Sequence, residues 1–452
     1  MKEKSVGTNS LLDKNRDLEG KKIYPISLGC PKNLVDSEKR LAFFANNYRA
    51  TIVNSVELAD IVLINSCGFV DDAKEESIDT VLEFIAAKEK NSNLKIALTG
   101  CLVNRYKDEL KNDLPEVDYI FETTDVSNEF KDYLYKGIDS RYDPDAKERI
   151  TLTLNHYSYL KIAEGCSNTC AFCVIPTIRG QYQSRSIDSL LEEAELLAKN
   201  GLKELILVAQ DSTLYGSDLG IKDGLSILIK ELEAIKEISW IRVLYLYPPL
   251  LTEKLLQTFV DSSKLVPYFD IPFQHSSDRI LNLMNRTETN ATIRSKVLAI
   301  RSKLPKAAIR TSFITGFPTE TETDYQLLED LIIDMKFDHL GLFCYSNEEG
   351  STAYNLSPQI EPEVALSRKE RLMMIQQKIS SKLLANKIGS IESAIVDRFD
   401  TNESLLIGRL ATQAPEIDGE LILDSSDLNP GNIVKVKIRS TTDYDLVGSV
   451  IS

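Results

Sequence analysis

The sequence predicts an α/β protein in three parts: an N-terminal parallel α/β domain, a central (βα) partial or full barrel, and a small C-terminal antiparallel β-barrel. Three observations predict it. From Lys22 onward, apolar strand-like runs alternate with amphipathic helical stretches, the pattern of βαβ units on a parallel sheet. The alternation fades near residue 138 and resumes at Tyr159, where about six further βα units fit a barrel. After Gly389 short alternating strands separated by Gly, Asn and Asp take over, as in a small all-β barrel. The expected division is a disordered lead-in over 1–21, a first domain over 22–138, a linker over 139–158, a central domain over 159–382 and a terminal barrel over 383–452.

Each element has its own warrant. KKIYPISLGC, ADIVLINSCGF and LKIALTGC read as buried strands of the first domain. Helices are expected between them over 36–46 and 71–90, the second with Ile78, Val81, Leu82 and Ile85 on one face. YLKIAEGC opens the central domain, followed by the strands LKELILVAQD, WIRVLYLYP, YFDIPFQ, AAIRTSFITGFP and DHLGLFCYS. An amphipathic helix over 189–200 and a long charged helix over 362–387 belong to the same domain, the latter closing it. IESAIVDRF, SLLIGRL, GELILD, NIVKVKIRST and YDLVGSVI supply the terminal barrel.

Composition narrows the class. A chain of 452 residues exceeds one ordinary core, and 43% hydrophobic with 27% charged residues is a globular mix. The net charge of −15 argues against a wholesale electrostatic grip on nucleic acid. There is no apolar run long enough to span a membrane, and the polar N-terminus lacks an apolar signal-peptide region, so a cytoplasmic protein is expected. Seven cysteines, an odd number with three inside eight residues, suit metal or redox chemistry better than a disulfide scaffold.

The densest motif is Cys166-Ser-Asn-Thr-Cys170-Ala-Phe-Cys173. Three thiolates at this spacing can hold a four-iron cluster with one iron left open. A zinc knuckle is the alternative, but a closed zinc site wants four ligands, and His156 stands ten residues upstream, before the strand. This loop after the first strand of a βα repeat resembles the radical S-adenosylmethionine superfamily. Phe172 matches the aromatic position of that motif, and Gly165 and Arg179-Gly180 also resemble it. The resemblance implies a 4Fe-4S cluster on Cys166, Cys170 and Cys173 whose open iron chelates S-adenosylmethionine. Reductive cleavage would then give a 5′-deoxyadenosyl radical that abstracts hydrogen. TSFITGFPTETE is similar to the family's strand that packs on the adenine through a glycine, here Gly316, with Thr319 where this branch usually carries glycine. Gln210 with Asp211, and Gln274 with His275, fall at strand ends facing the same pocket and are candidates for cofactor contact; capping and structural roles are the alternatives.

Cys30, Cys67 and Cys101 each follow a strand of the first domain, so the carboxyl edge of the sheet gathers three thiols where ligands bind. A glycine beside each lets backbone approach a bulky ligand, though three buried structural cysteines would share the position. SLGCPKNLVDSE, INSCGFVDDAKEES and LTGCL resemble the N-terminal domain of the methylthiotransferases, and the terminal barrel resembles their TRAM domain. The resemblance spans about 22–452. It implies a second 4Fe-4S cluster on Cys30, Cys67 and Cys101 that supplies sulfur.

Pro31-Lys32, GRLATQAPEIDGELIL and DYDLVGSV resemble the branch that methylthiolates the β-carbon of an aspartate in small-subunit ribosomal protein twelve. Residues 381–452 carry seven positive and eleven negative side chains, a net −4 that suits a basic ribosomal protein better than phosphates. The expected partners are that protein, a reductant and a sulfur source. Adenosine methylthiolation in tRNA is the alternative within the class. A non-catalytic iron–sulfur or zinc protein that binds ribosome or RNA is the alternative outside it, and a disulfide redox protein is another. Cys344, inside an apolar strand, reads as core.

Overall fold

A computed structural model describes residues 19–123, 146–401, 405–424 and 428–451. Nearly all of the expected lead-in, and the expected linker up to residue 145, lie outside the described residues. The chain forms two compact units. The described residues up to 152 together with 174–181 make the first; those of 153–173 and from 182 onward make the second. Residues 174–181, which follow the cysteine loop and which the sequence assigns to the central domain, therefore pack with the first unit.

In the first unit, β1 (Lys22–Ser27), β2 (Thr51–Ile52), β3 (Ile61–Ser66), β4 (Lys95–Gly100) and β5 (Tyr119–Ile120) form a parallel sheet ordered β2-β1-β3-β4-β5. Strand alternation sorts the core. Ile61 and Leu63 of β3 join Ile23, Leu41 and Tyr48 under the helix Pro31–Tyr48. Val62 and Ile64 join Ile96, Leu98, Val81 and Phe84 under the helix Asp71–Lys90 on the other face. Both faces of β3 are thus buried, which is why it reads as an unbroken apolar run. The helix Asp71–Lys90 matches its expected bounds, but Leu82 is 47% exposed and Phe84 is buried in its place. One residue is a turn of roughly 100° past Val81, enough to leave the buried stripe. The two-residue strands β2 and β5 are too short to leave a periodic signal in the sequence.

The second unit begins with β6 (Tyr157–Lys161) and the antiparallel pair β7 (Ala163–Glu164) and β8 (Gln183–Ser184). Next come β9 (Glu204–Val208), β10 (Trp240–Val243), β11 (Tyr268–Asp270), β12 (Ala308–Thr315) and β13 (His339–Cys344). Parallel sheets β10-β9-β6 and β11-β12-β13 are joined by a bridge between Ile241 and Leu265. The six parallel strands therefore follow chain order, and among the described residues β13 does not pair with β6: the barrel is partial. The helix Pro362–Ala385 packs on the last strands through buried Leu372 and a bond from Gln376 Nε2 to the Phe337 carbonyl (2.8 Å). Cys344 is only half-buried rather than in the core, because β13 is the open edge.

β14 (Ile391–Asp400), β15 (Leu405–Leu410), β16 (Leu421–Leu423), β17 (Ile433–Thr441) and β18 (Leu446–Ile451) close a barrel around Val396, Leu406, Leu421 and Val436. It is fixed to the amino ends of the parallel strands. His156, before β6, pairs with Asp397 at 2.7 Å, and Arg310 Nη1 and His339 Nδ1 meet Asp418 at 2.8 and 3.2 Å. Tyr268 donates to the same Asp418 at 2.7 Å. Asp397, Arg409 and Asp418 are thus spent inside the protein, so two of the eleven negative and one of the seven positive side chains of 381–452 are unavailable to a partner, leaving net −3.

Candidate functional site

In the first unit the strand order places the change of winding direction between β1 and β3, and ligands of doubly wound sheets bind beyond the carboxyl ends there. Cys30 and Cys67 follow those two strands and Cys101 follows β4. Cys30 is the residue that caps the helix Pro31–Tyr48, and Cys101 is the first residue of the helix Cys101–Asp113. Helix amino termini favour thiolate and other anions. The three thiols feel one another: burial chiefly raises Cys67, to about 11, and Cys101 and Cys30 push it further the same way. Burial likewise raises Cys101, opposed by Arg179.

The glycines beside these cysteines serve the approach of one loop to the next. A side chain at Gly29 would meet the Cys67 sulfur at 2.9 Å, and one at Gly68 would meet the Leu102 backbone at 2.6 Å. Gly100 adopts φ +110 with Ser66 backbone 2.2 Å from where its Cβ would stand. Asn33, fully buried, ties the loops by donating to the carbonyls of Leu28 and Ser66, each at 3.1 Å. Ser77 Oγ accepts from the Cys67 amide and donates to its carbonyl, both at 2.9 Å. Sequence reasoning passed over Asn33 and Ser77; the signal was their place inside the same short motifs as the cysteines.

In the second unit Cys166, Cys170 and Cys173 lie past β7, at the carboxyl end of the strands. His156 is at the opposite end with Asp397, which removes the one nearby histidine from a zinc site. The loop is pinned along its length. Tyr182 N–H donates to Ser167 Oγ (3.1 Å), Asn168 donates to Asp211 (2.9 Å), and Asn285 donates to the Thr169 carbonyl (2.8 Å). Ala171 N–H donates to the Met284 carbonyl at 2.9 Å. Burial raises Cys166 and Asp211. Arg286, 7% exposed, places Nη1 3.7 Å from the Cys170 sulfur.

Of the remaining candidates, Gln210 donates to Glu164 at 2.9 Å while its buried Oε1 has no hydrogen-bond partner, the signature of a polar ligand's place. Phe172 packs in a small apolar cluster with Ala171, Met284 and Phe317. Gln274 takes φ +73 at the end of the strand run, and its amide donates to the Ser312 carbonyl. His275 is fully buried; its Nδ1 accepts from the Ser277 amide (3.0 Å) and its Nε2 stands 3.4 Å from Glu320. Gly316, at φ +75, lies where a Cβ would come within 2.3 Å of Ala365, so packing of the closing helix already requires glycine. Thr319 stands in the left-handed region at φ +69, the conformation a glycine there would hold without strain.

Among the described residues no three His, Cys, Asp or Glu side chains converge on a single metal ion.

Three family models match the chain: the uncharacterized protein family UPF0004 over 22–122, the radical SAM superfamily over 160–332 and the TRAM domain over 388–451. The ribosomal protein uS12 methylthiotransferase RimO of Acetivibrio thermocellus is 40% identical, covering 96% of this chain and 99% of that one. Its counterpart from Clostridioides difficile is 42% identical over 95% of this chain and 99% of its own. Among solved structures, the radical S-adenosylmethionine methyltransferase TsrM from Kitasatospora setae matches with a TM-score of 0.52 at 11% identity, over 72% of this chain and 75% of that chain, a likeness of fold alone. With identity of this order over nearly the full length of both partners, the chain belongs to the radical SAM family of ribosomal protein uS12 methylthiotransferases, RimO.

Proposed function

We propose that this protein methylthiolates the β-carbon of an aspartate in ribosomal protein uS12. The observation that carries the reading is the presence, in a chain similar end to end to the uS12 methylthiotransferases, of two separate thiol triads, each at the carboxyl edge of its own parallel sheet. Cys166, Cys170 and Cys173 would hold one 4Fe-4S cluster and Cys30, Cys67 and Cys101 the other. Bound there, the clusters and S-adenosylmethionine supply homolytic hydrogen abstraction and the methylthio group, chemistry that no side-chain base offers at an unactivated C–H bond.

The chain's own residues fix and shield these groups. Ser167, Asn168, Thr169 and Ala171 hold the first loop through their bonds to Tyr182, Asp211, Asn285 and Met284. Gln210 presents an unpartnered acceptor beside Glu164 for a donor on S-adenosylmethionine. Asn33 and Ser77 lock the second set of loops. A reductant and a sulfur source complete the turnover. The acidic residues left on the terminal barrel favour a basic protein over tRNA. Incubation of the reconstituted, reduced enzyme with S-adenosylmethionine and either uS12 or tRNA, followed by mass spectrometry, tests this. A methylthio mass gain on the uS12 aspartate is expected; gain on tRNA alone would overturn the substrate assignment.

A further inference from the structure

Arg179 lies six residues after Cys173 in sequence but packs in the first unit, against the other thiol triad. Its side chain is 1% exposed. Three donors of the guanidinium plane meet three acceptors: Nη1 bonds Asp36 at 2.7 Å, Nη2 bonds Asn33 Oδ1, and Nε donates to the Cys101 sulfur at 3.2 Å. Val174 and Ile178 of the same segment form an apolar cluster with Cys101 and Phe69, and Asn104 donates to the Ile178 carbonyl at 3.1 Å. The stretch that continues the first cysteine loop is therefore built around the second triad.

Burying a guanidinium is costly unless its charge is matched. Asp36 matches it, so a purely structural ion pair accounts for Nη1. It does not account for Nε, which is aimed at sulfur, a weak acceptor when it carries its proton. Once Cys101 binds iron it is a thiolate, and the same bond becomes charge-assisted. We propose that Arg179 positions and tunes the cluster on Cys30, Cys67 and Cys101, raising its reduction potential through the Nε–H to Cys101 bond; this rests on the two-cluster reading above. A donor on a ligand sulfur and a nearby positive charge both favour the more reduced, more negative cluster. The planar fork explains why arginine rather than lysine stands here.

The test uses the full chain with Cys166, Cys170 and Cys173 changed to Ala, so that only the second cluster remains. Anaerobically reconstituted background, background plus Arg179→Gln and background plus Arg179→Lys are compared for iron content and for midpoint potential by EPR-monitored titration. The background should hold about four irons. Arg179→Gln should keep them and disfavour reduction about tenfold, ~59 mV for one electron, with Arg179→Lys shifted less in the same direction. An unchanged midpoint in Arg179→Gln at full iron content overturns the proposal. A background without iron instead overturns the two-cluster reading. If Arg179→Gln loses its fold by circular dichroism, Arg179→Lys decides: a lowered midpoint supports the role and a background-like one refutes it.

Discussion

Replacing Glu204 by Gln should destabilise the second unit more than replacing Arg409 by Met. Glu204 is fully buried between Arg242, whose Nε is 2.7 Å away, and Arg409 of the terminal barrel. Removing one member of a buried pair costs roughly 3–5 kcal/mol because the survivor stays buried and uncompensated. Arg409→Met leaves each carboxylate one partner: Glu204 keeps Arg242, and Asp397 keeps His156 at 2.7 Å. About 3 kcal/mol is expected. Glu204→Gln leaves Arg242, 0% exposed, with the face of Tyr268 at 4.6 Å in place of a carboxylate, and about 5 kcal/mol is expected. The single tryptophan, Trp240, sits opposite Glu204 in the β10–β9 register and is buried, so its fluorescence reports on this unit. With a slope of about 3 kcal/mol/M, Arg409→Met should lower the urea midpoint by about 1 M and Glu204→Gln by more. Midpoints within about 0.2 M of wild type, ~0.5 kcal/mol at that slope and the scale of an ordinary surface change, would mean that the buried charges are not coupled as described.

The same carboxylate sets a pH response: burial would raise the Glu204 pKa, but Arg242 and Arg409 outweigh it and hold the group below its ordinary value. Its contribution is present above about pH 4.3, the unfolded value, and is lost as pH falls through the lower folded value. Acid unfolding followed at Trp240 should therefore show a steeper loss for wild type than for Glu204→Gln. Gly68→Ala would drive a methyl into the Leu102 backbone at 2.6 Å and should remove the iron of the second triad while sparing the first, read as a loss of about half the iron. Retention of all the iron would show that those loops can yield. Thr319→Gly relieves a left-handed β-branched residue, worth roughly 1–2 kcal/mol. Glycine's entropy takes back about 0.5–1 kcal/mol, so a net gain of about 0.5 kcal/mol is expected, and a loss beyond 1 kcal/mol contradicts the strain argument.

The fold was legible where periodicity is a local property. Apart from the two-residue β2 and β5, the strands of the three parallel sheets, the helix Asp71–Lys90 and the five strands of the terminal barrel carry their pattern within ten or twenty residues. Spacing marked Cys166, Cys170 and Cys173, whereas strand ends marked Cys30, Cys67 and Cys101. What escaped depends on contacts distant in sequence. Nothing local to VIPTIRGQ says that Arg179 will reach Asp36 and Cys101, 143 and 78 residues away. Asp397, Asp418 and Arg409 were counted in the charge offered to a partner because their own partners His156, Arg310, His339 and Glu204 lie in another part of the chain. Leu82 was misplaced by one step round a helix whose buried stripe is narrow. The close approach of the loops to one another at Gly29, Gly68 and Gly100 was not legible beside the cysteines, because the neighbouring loops come from distant parts of the chain.

The two-cluster account meets its most direct test in iron and sulfide content after anaerobic reconstitution of the wild type and of the Cys166→Ala/Cys170→Ala/Cys173→Ala variant. About eight irons per chain are expected, falling to about four in the variant. About four irons falling to none would contradict it, leaving Cys30, Cys67 and Cys101 as structural thiols and the insertion of sulfur without a source in this chain.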